Sequence, residues 1–296
     1  MRIDAHQHFW QYDPVRDSWI EPSSPIARDF TPADLQPLLD GQAIDGCVAV
    51  QASSSPSETA HLLSLAADHA FIRAVVGWVN LQADDVEEQL AHYRGFPLLK
   101  GFRHILQGEA QRDYMLRPAF LRGIGLLNRY GFTYDILIYP DQLGFATEFA
   151  RLLPDQPMVL DHLGKPDIKG HAARPASSTA GASPDAGSHA PSSFHEWRKS
   201  IRALASCENV SCKVSGMVTE ADWKAWRPAD FKPFLEEVVE AFGPKRLMFG
   251  SDWPVCLLAA SYDDMMRIVT DFFAGFSQDE KAALFGGTAG NFYKLI

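Results

Sequence analysis

Eight short apolar, β-branched runs, separated by stretches whose apolar residues recur about every 3.6 positions, punctuate the chain almost from end to end. They lie at residues 2–9, 46–52, 72–81, 98–105, 132–139, 157–163, 209–216 and 246–252. Runs such as VVGWVNL and YDILIYP are nearly continuously hydrophobic, as expected of strands in a parallel sheet that is covered on both faces. The intervening segments 57–70, 83–95, 120–131, 142–153 and 231–243 carry helical spacing, and three of them stop at Gly95, Gly131 and Gly243. Strict strand–helix alternation predicts a largely parallel sheet. Eight such units in 296 residues match a single (β/α)8 TIM barrel over 1–296, whereas a doubly wound sheet needs fewer strands and a Gly-rich first turn that this chain lacks.

Charge narrows the function. With 27 basic and 37 acidic residues the formal charge is −10, which disfavours an electrostatic grip on nucleic acid or on an anionic membrane and favours a small-molecule partner. No apolar stretch approaches the length of a membrane span and Met1-Arg2-Ile3-Asp4 has no signal-peptide character, so a cytoplasmic location is expected. Cys47, Cys207, Cys212 and Cys256 form no CxxC pair and are expected as reduced thiols. The stretch 170–193, GHAARPASSTAGASPDAGSHAPSS, has no apolar period; after the sixth strand it is expected to be an inserted loop, either a lid or a tolerated extension. The chain contains no G-x-S-x-G, Walker loop or dinucleotide fingerprint.

In a barrel of this kind the chemistry sits at the carboxyl ends of the strands. There the chain places Asp4-Ala5-His6-Gln7-His8, Gly101-Phe102-Arg103-His104, Asp161-His162-Leu163-Gly164-Lys165 and Gly250-Ser251-Asp252-Trp253-Pro254. Side chains two apart on a strand share a face, so His6 and His8 can reach one divalent ion, with His162 and Asp252 available to complete its ligands. Paired, hydrogen-bonded histidines at a strand end are the alternative. His195 follows the insertion and could fold over the mouth; the remaining histidines fall on helical or loop patterns.

Together the HxH of strand one, GxRH of strand four, DHxGKP of strand six, GSDWP of strand eight and the terminal NFYKL resemble the amidohydrolase superfamily, and within it the sugar-acid lactonases of the L-fucono- and L-rhamnono-lactonase type. The resemblance implies a (β/α)8 barrel that hydrolyses the cyclic ester of a sugar acid. Two-metal members carry a carboxylated lysine on strand four and a histidine on strand five. Strand five here is Tyr134-Asp135-Ile136-Leu137-Ile138-Tyr139, without histidine, and Lys100 precedes the polar tip of strand four. One divalent ion, with Zn2+ expected, or a metal-independent reaction is therefore anticipated.

Lactone opening needs an activated water, a stabilised carbonyl oxygen and a proton for the departing ring oxygen. Asp252 is the expected general base, His6, His8, His162 and Asp252 the expected ion ligands, and Arg103, His104 and Lys165 the donors for the oxyanion or the substrate hydroxyls. Trp197 is expected as an aromatic platform for the sugar; Tyr139, Asn80, Gln51 and Trp253 are weaker candidates for which packing is the simpler reading. A metal-dependent decarboxylase and a noncatalytic sugar-acid binding protein are the alternatives.

Overall fold

The structure, a computed structural model, describes residues 1–173 and 193–295. All eight expected strands form: β1 Ile3–Gln7, β2 Gly46–Val50, β3 Ile72–Gly77, β4 Leu99–His104, β5 Thr133–Ile136, β6 Met158–Leu160, β7 Val210–Val214 and β8 Leu247–Phe249. They pair in parallel in the order in which they occur in the chain. The sheet closes on itself where Gln7 bridges Trp253, the His8 amide donates to the Trp253 carbonyl at 2.7 Å and the Asp252 amide donates to His6 at 2.8 Å. This is the predicted (β/α)8 barrel.

The expected helices form as Pro56–Asp68, Val86–Tyr93, Pro118–Leu127, Leu143–Leu152 and Pro228–Phe242. Two apolar layers result from the alternation of side chains along the strands. Ile3, Ala5, Val48, Val50, Ala74, Val76, Val159 and Met248 pack together inside the barrel, while Cys47, Ala49, Val75, Met158, Leu160, Val210, Cys212 and Val214 join the layer beneath the helices. The register of β1 against β2 shifts between Asp4 and Gln7; an irregularity of this sort re-aims the side chains beyond it. It sits where His6 departs from the alternation of Ile3 and Ala5.

Most of the segment 170–193 lies outside the described residues; its first part ends the short helix Ile168–Ala172. The four cysteines are free and buried. Among the described residues no helix is long and apolar enough to cross a membrane.

Candidate active site

At the carboxyl end of the barrel the structure brings five of the expected residues together: His6, His8, Arg103, His162 and Asp252, all buried. The Oδ1 of Asp252 is 3.4 Å from His8 Nε2, 3.7 Å from His6 Nε2 and 3.8 Å from His162 Nε2. His6 and His8 face each other through their Nε2 atoms at 3.2 Å.

Local backbone geometry creates this convergence. His162, Leu163, Gly164 and Lys165 all have left-handed φ, between +52° and +68°, and Asp252 stands at +57°. Such a conformation is costly for residues with a side chain and is held only by strong surroundings. The indole Nε1 of Trp197 donates to the Leu163 carbonyl at 2.9 Å and grips the turn from behind. Two glycines leave the space the rings need: a Cβ on Gly216 would lie 2.4 Å from His162 Nδ1, and one on Gly250 would lie 2.6 Å from His6 Cβ.

Each ring is also held by its far nitrogen. His8 Nδ1 donates to the Val50 carbonyl at 2.7 Å, and His162 Nδ1 lies 2.9 Å from Ser215 Oγ. His6 Nδ1 is 3.2 Å from Asp161 Oδ1 and 3.1 Å from Lys213 Nζ. Burial lowers the His162 pKa to about 4 and that of His6 well below its usual value, so both rings are neutral near pH 7. For Asp252 burial acts upward, but His162, His8 and His6 together hold it well below the usual carboxylate range. Asp161 likewise stays ionised, its burial outweighed by Lys213, His6 and Arg103.

This donor set fits a divalent cation. His6, His8 and Asp252 form one triplet of potential ligand atoms within 4.8 Å of one another, and His6, Asp161 and His162 form a second. The Val50 carbonyl behind His8 Nδ1 holds the ring with Nε2 towards Asp252, and an orienting acceptor behind a histidine is the usual companion of an ion ligand. Around the cluster the buried carboxylates Asp4, Asp135, Asp161 and Asp252 outnumber the buried cations Arg103 and Lys213, a balance that suits a positive ion.

The other expected residues are placed differently. Alternation along β4 turns Arg103 inward and His104 the other way. His104 Nε2 is 2.7 Å from Glu109 Oε1 and its ring stacks on Tyr114 at 5.1 Å, away from the cluster. Arg103 gives one arm to the Gln51 carbonyl and the other to Asp161 Oδ2 at 2.9 Å, with the latter also 3.3 Å from His6 Nε2. Lys165 lies 3.7 Å from Glu220 Oε1 and 5.5 Å from the centre of the Tyr139 ring.

The placement of Trp197 corrects the expected platform. It is 1% exposed and packs on Phe194 and Phe234, so it supports the turn and offers no face to a sugar. Gln51 and Trp253 are buried as well, and His195 is exposed in the first turn of helix Phe194–Ala205.

Lys213, Asp135, Asp161 and Glu220 are polar residues at or behind the site that the sequence reading left without a role. The available signal was a charged residue inside an apolar strand run, as in SCKVSG and YDILIYP.

Comparison with known proteins agrees with this geometry. The chain is 42% identical over 302 residues to an L-fucono-1,5-lactonase of Burkholderia multivorans, covering 100% of this chain and 96% of that protein. It is 34% identical over 304 residues to an L-fucono-1,5-lactonase of Burkholderia ambifaria, covering 99% and 96%. A crystal structure of a Burkholderia multivorans amidohydrolase with bound zinc superposes with a TM-score of 0.90 at 41% identity, covering 100% of both chains. The amidohydrolase profile matches residues 3–295, and the chain belongs to the amidohydrolase family.

Proposed function

We propose that the chain hydrolyses the internal ester of a sugar-acid lactone to the free acid, with L-fucono-1,5-lactone or a close stereochemical relative as substrate. The observation that carries this reading is the buried Asp252 carboxylate ringed by three imidazoles at the barrel mouth. Relatives that act on L-fucono-1,5-lactone, by their names, support the substrate class.

Asp252 Oδ1 faces the imidazoles, which leaves Oδ2 to take the proton of the attacking water. As the water oxygen bonds to the lactone carbonyl carbon, the carbonyl oxygen becomes negative and the Arg103 guanidinium beside His6 supplies positive potential there. When the bond from that carbon to the ring oxygen breaks, the proton held by Asp252 passes to the departing alkoxide. A Zn2+ held by His6, His8 and Asp252, with His162 beside them, would supply Lewis-acid polarisation and a lower pKa for bound water. Lys165, over the Tyr139 ring and beside Glu220, offers a donor for the sugar hydroxyls, and Glu220 offers an acceptor. Burial raises the Glu220 pKa, and a hydrogen bond to a carboxyl group in such a low-dielectric setting is strengthened. We place the reaction in the cytoplasm, where the four free thiols stay reduced.

A pH-indicator screen of the purified protein against a panel of aldonolactones tests this reading, with CO2 release from aromatic carboxylates measured alongside. One acid released per L-fucono-1,5-lactone consumed is the expected result. CO2 release without lactone opening would make the protein a decarboxylase, and lactone binding without turnover would make it a binding protein.

A further inference from the structure

Below His6, on the side away from the mouth, runs a chain of buried polar groups that lactone opening does not use. Lys213 of β7 is 0% exposed. Its Nζ lies 2.5 Å from Asp135 Oδ2 on β5, 3.1 Å from Asp161 Oδ1 after β6 and 3.1 Å from His6 Nδ1 on β1. Tyr293, which follows the last helix Thr288–Phe292, inserts into the inner core and donates its hydroxyl to both oxygens of Asp135, at 3.0 and 2.8 Å. Asp161 Oδ2 is taken by Arg103. An apolar side chain would fill the place of Lys213 without the cost of dehydrating an ammonium, so the contribution of Lys213 is to be sought in what it holds.

We propose that Lys213, anchored through Asp135 by Tyr293, is a positioning residue for the ion site. It holds Asp161 Oδ1 and its own Nζ against His6 Nδ1, at 3.2 and 3.1 Å, and so fixes the ring with Nε2 towards Asp252. The proposal rests on the reading of His6 as an ion ligand. It also implies a single ion. Asp161 belongs to the second triplet, with His6 and His162, but its two oxygens already face the resident cations Lys213 and Arg103, which repel a second metal.

The test compares wild type with the paired variant Asp135→Asn, Lys213→Met, which removes one charge of each sign, and with Tyr293→Phe, which removes one hydroxyl. Zn2+ is titrated into metal-stripped protein against a chromophoric chelator, and kcat and KM are measured on the lactone. Removing an outer-shell partner typically weakens metal affinity 10–100-fold. The paired variant should bind Zn2+ at least about 10-fold more weakly and Tyr293→Phe about 3-fold. In both, kcat should fall while KM holds, because Lys213 has no exposed surface with which to meet substrate.

Wild-type Zn2+ affinity in both folded variants overturns the proposal. Should the paired variant not fold, wild-type affinity in Tyr293→Phe alone overturns it, as does a wild-type protein that takes up no Zn2+. A wild type that binds Zn2+ but opens no lactone sinks the lactone reading only, and the affinity comparison still decides the role of Lys213.

Discussion

His8 Nδ1 donates to the carbonyl oxygen of Val50 on the adjacent strand at 2.7 Å. A carbonyl only accepts, so Nδ1 carries a proton, and the ring is held with Nε2 towards Asp252, 3.4 Å away. The backbone of β2 thus sets the chemistry of a side chain on β1, as is usual behind an ion-ligating histidine.

This geometry predicts one Zn2+ per chain in metal-replete wild type and almost none in His6→Ala, His8→Ala. Elemental analysis of the two proteins, dialysed side by side, measures it. Equal zinc content would remove both histidines from the ion site.

Trp197→Phe removes the indole donor from the Leu163 carbonyl while keeping most of the packing on Phe194 and Phe234. A buried acceptor left unpaired costs about 1–3 kcal/mol. Urea denaturation should show that loss, and kcat should fall because the same turn carries His162. A raised KM at unchanged stability would instead restore Trp197 as a substrate platform.

Stability should depend on pH through opposing groups. Burial lowers His162 to about 4 and His6 well below 6.5. Unfolding therefore takes up protons as the pH falls below 6.5, and the stability these rings allow near neutrality is lost towards pH 4. Burial raises Asp4 and Asp135 to about 6. These two take up protons in the native state from pH 6 downward, so their contribution is favourable at low pH and lost as the pH rises through 6. In metal-stripped wild type the four groups nearly cancel between pH 6 and 4.5. Asp4→Asn removes one compensating proton and should lose about 1 kcal/mol more than wild type over that interval. Urea midpoints at the two pH values measure this; parallel changes in the two proteins would contradict the assignment of Asp4.

Much of the site was legible because a strand covered on both faces tolerates polar groups chiefly at its carboxyl end, where His6, His8, Arg103, His162 and Asp252 stand. Lys213 and Asp135 interrupt apolar runs just as visibly. Their meeting, however, depends on the register of β5, β6 and β7, in which Asp135 lies beside Val159 and Val159 beside Ser211, and that register is set by contacts distant in sequence. His104 was separable from Arg103 by the alternation of side chains along one strand. Trp197 carried its own signal, since Trp197, Ile201, Leu204 and Ala205 share the buried stripe of one helix. The left-handed turn at 162–165 was not legible, because three of its four residues are not glycine and the sequence offers no reason to expect such strain.

The central claim, that Asp252 is the base of a lactone hydrolysis, is tested most directly by the turnover of L-fucono-1,5-lactone in wild type and Asp252→Asn, followed as acid release at pH 7. Removing a general base costs about 100-fold or more in rate, so the variant should keep its fold by circular dichroism and lose at least about 100-fold in kcat. Turnover within a few-fold of wild type in a folded Asp252→Asn protein would contradict the account.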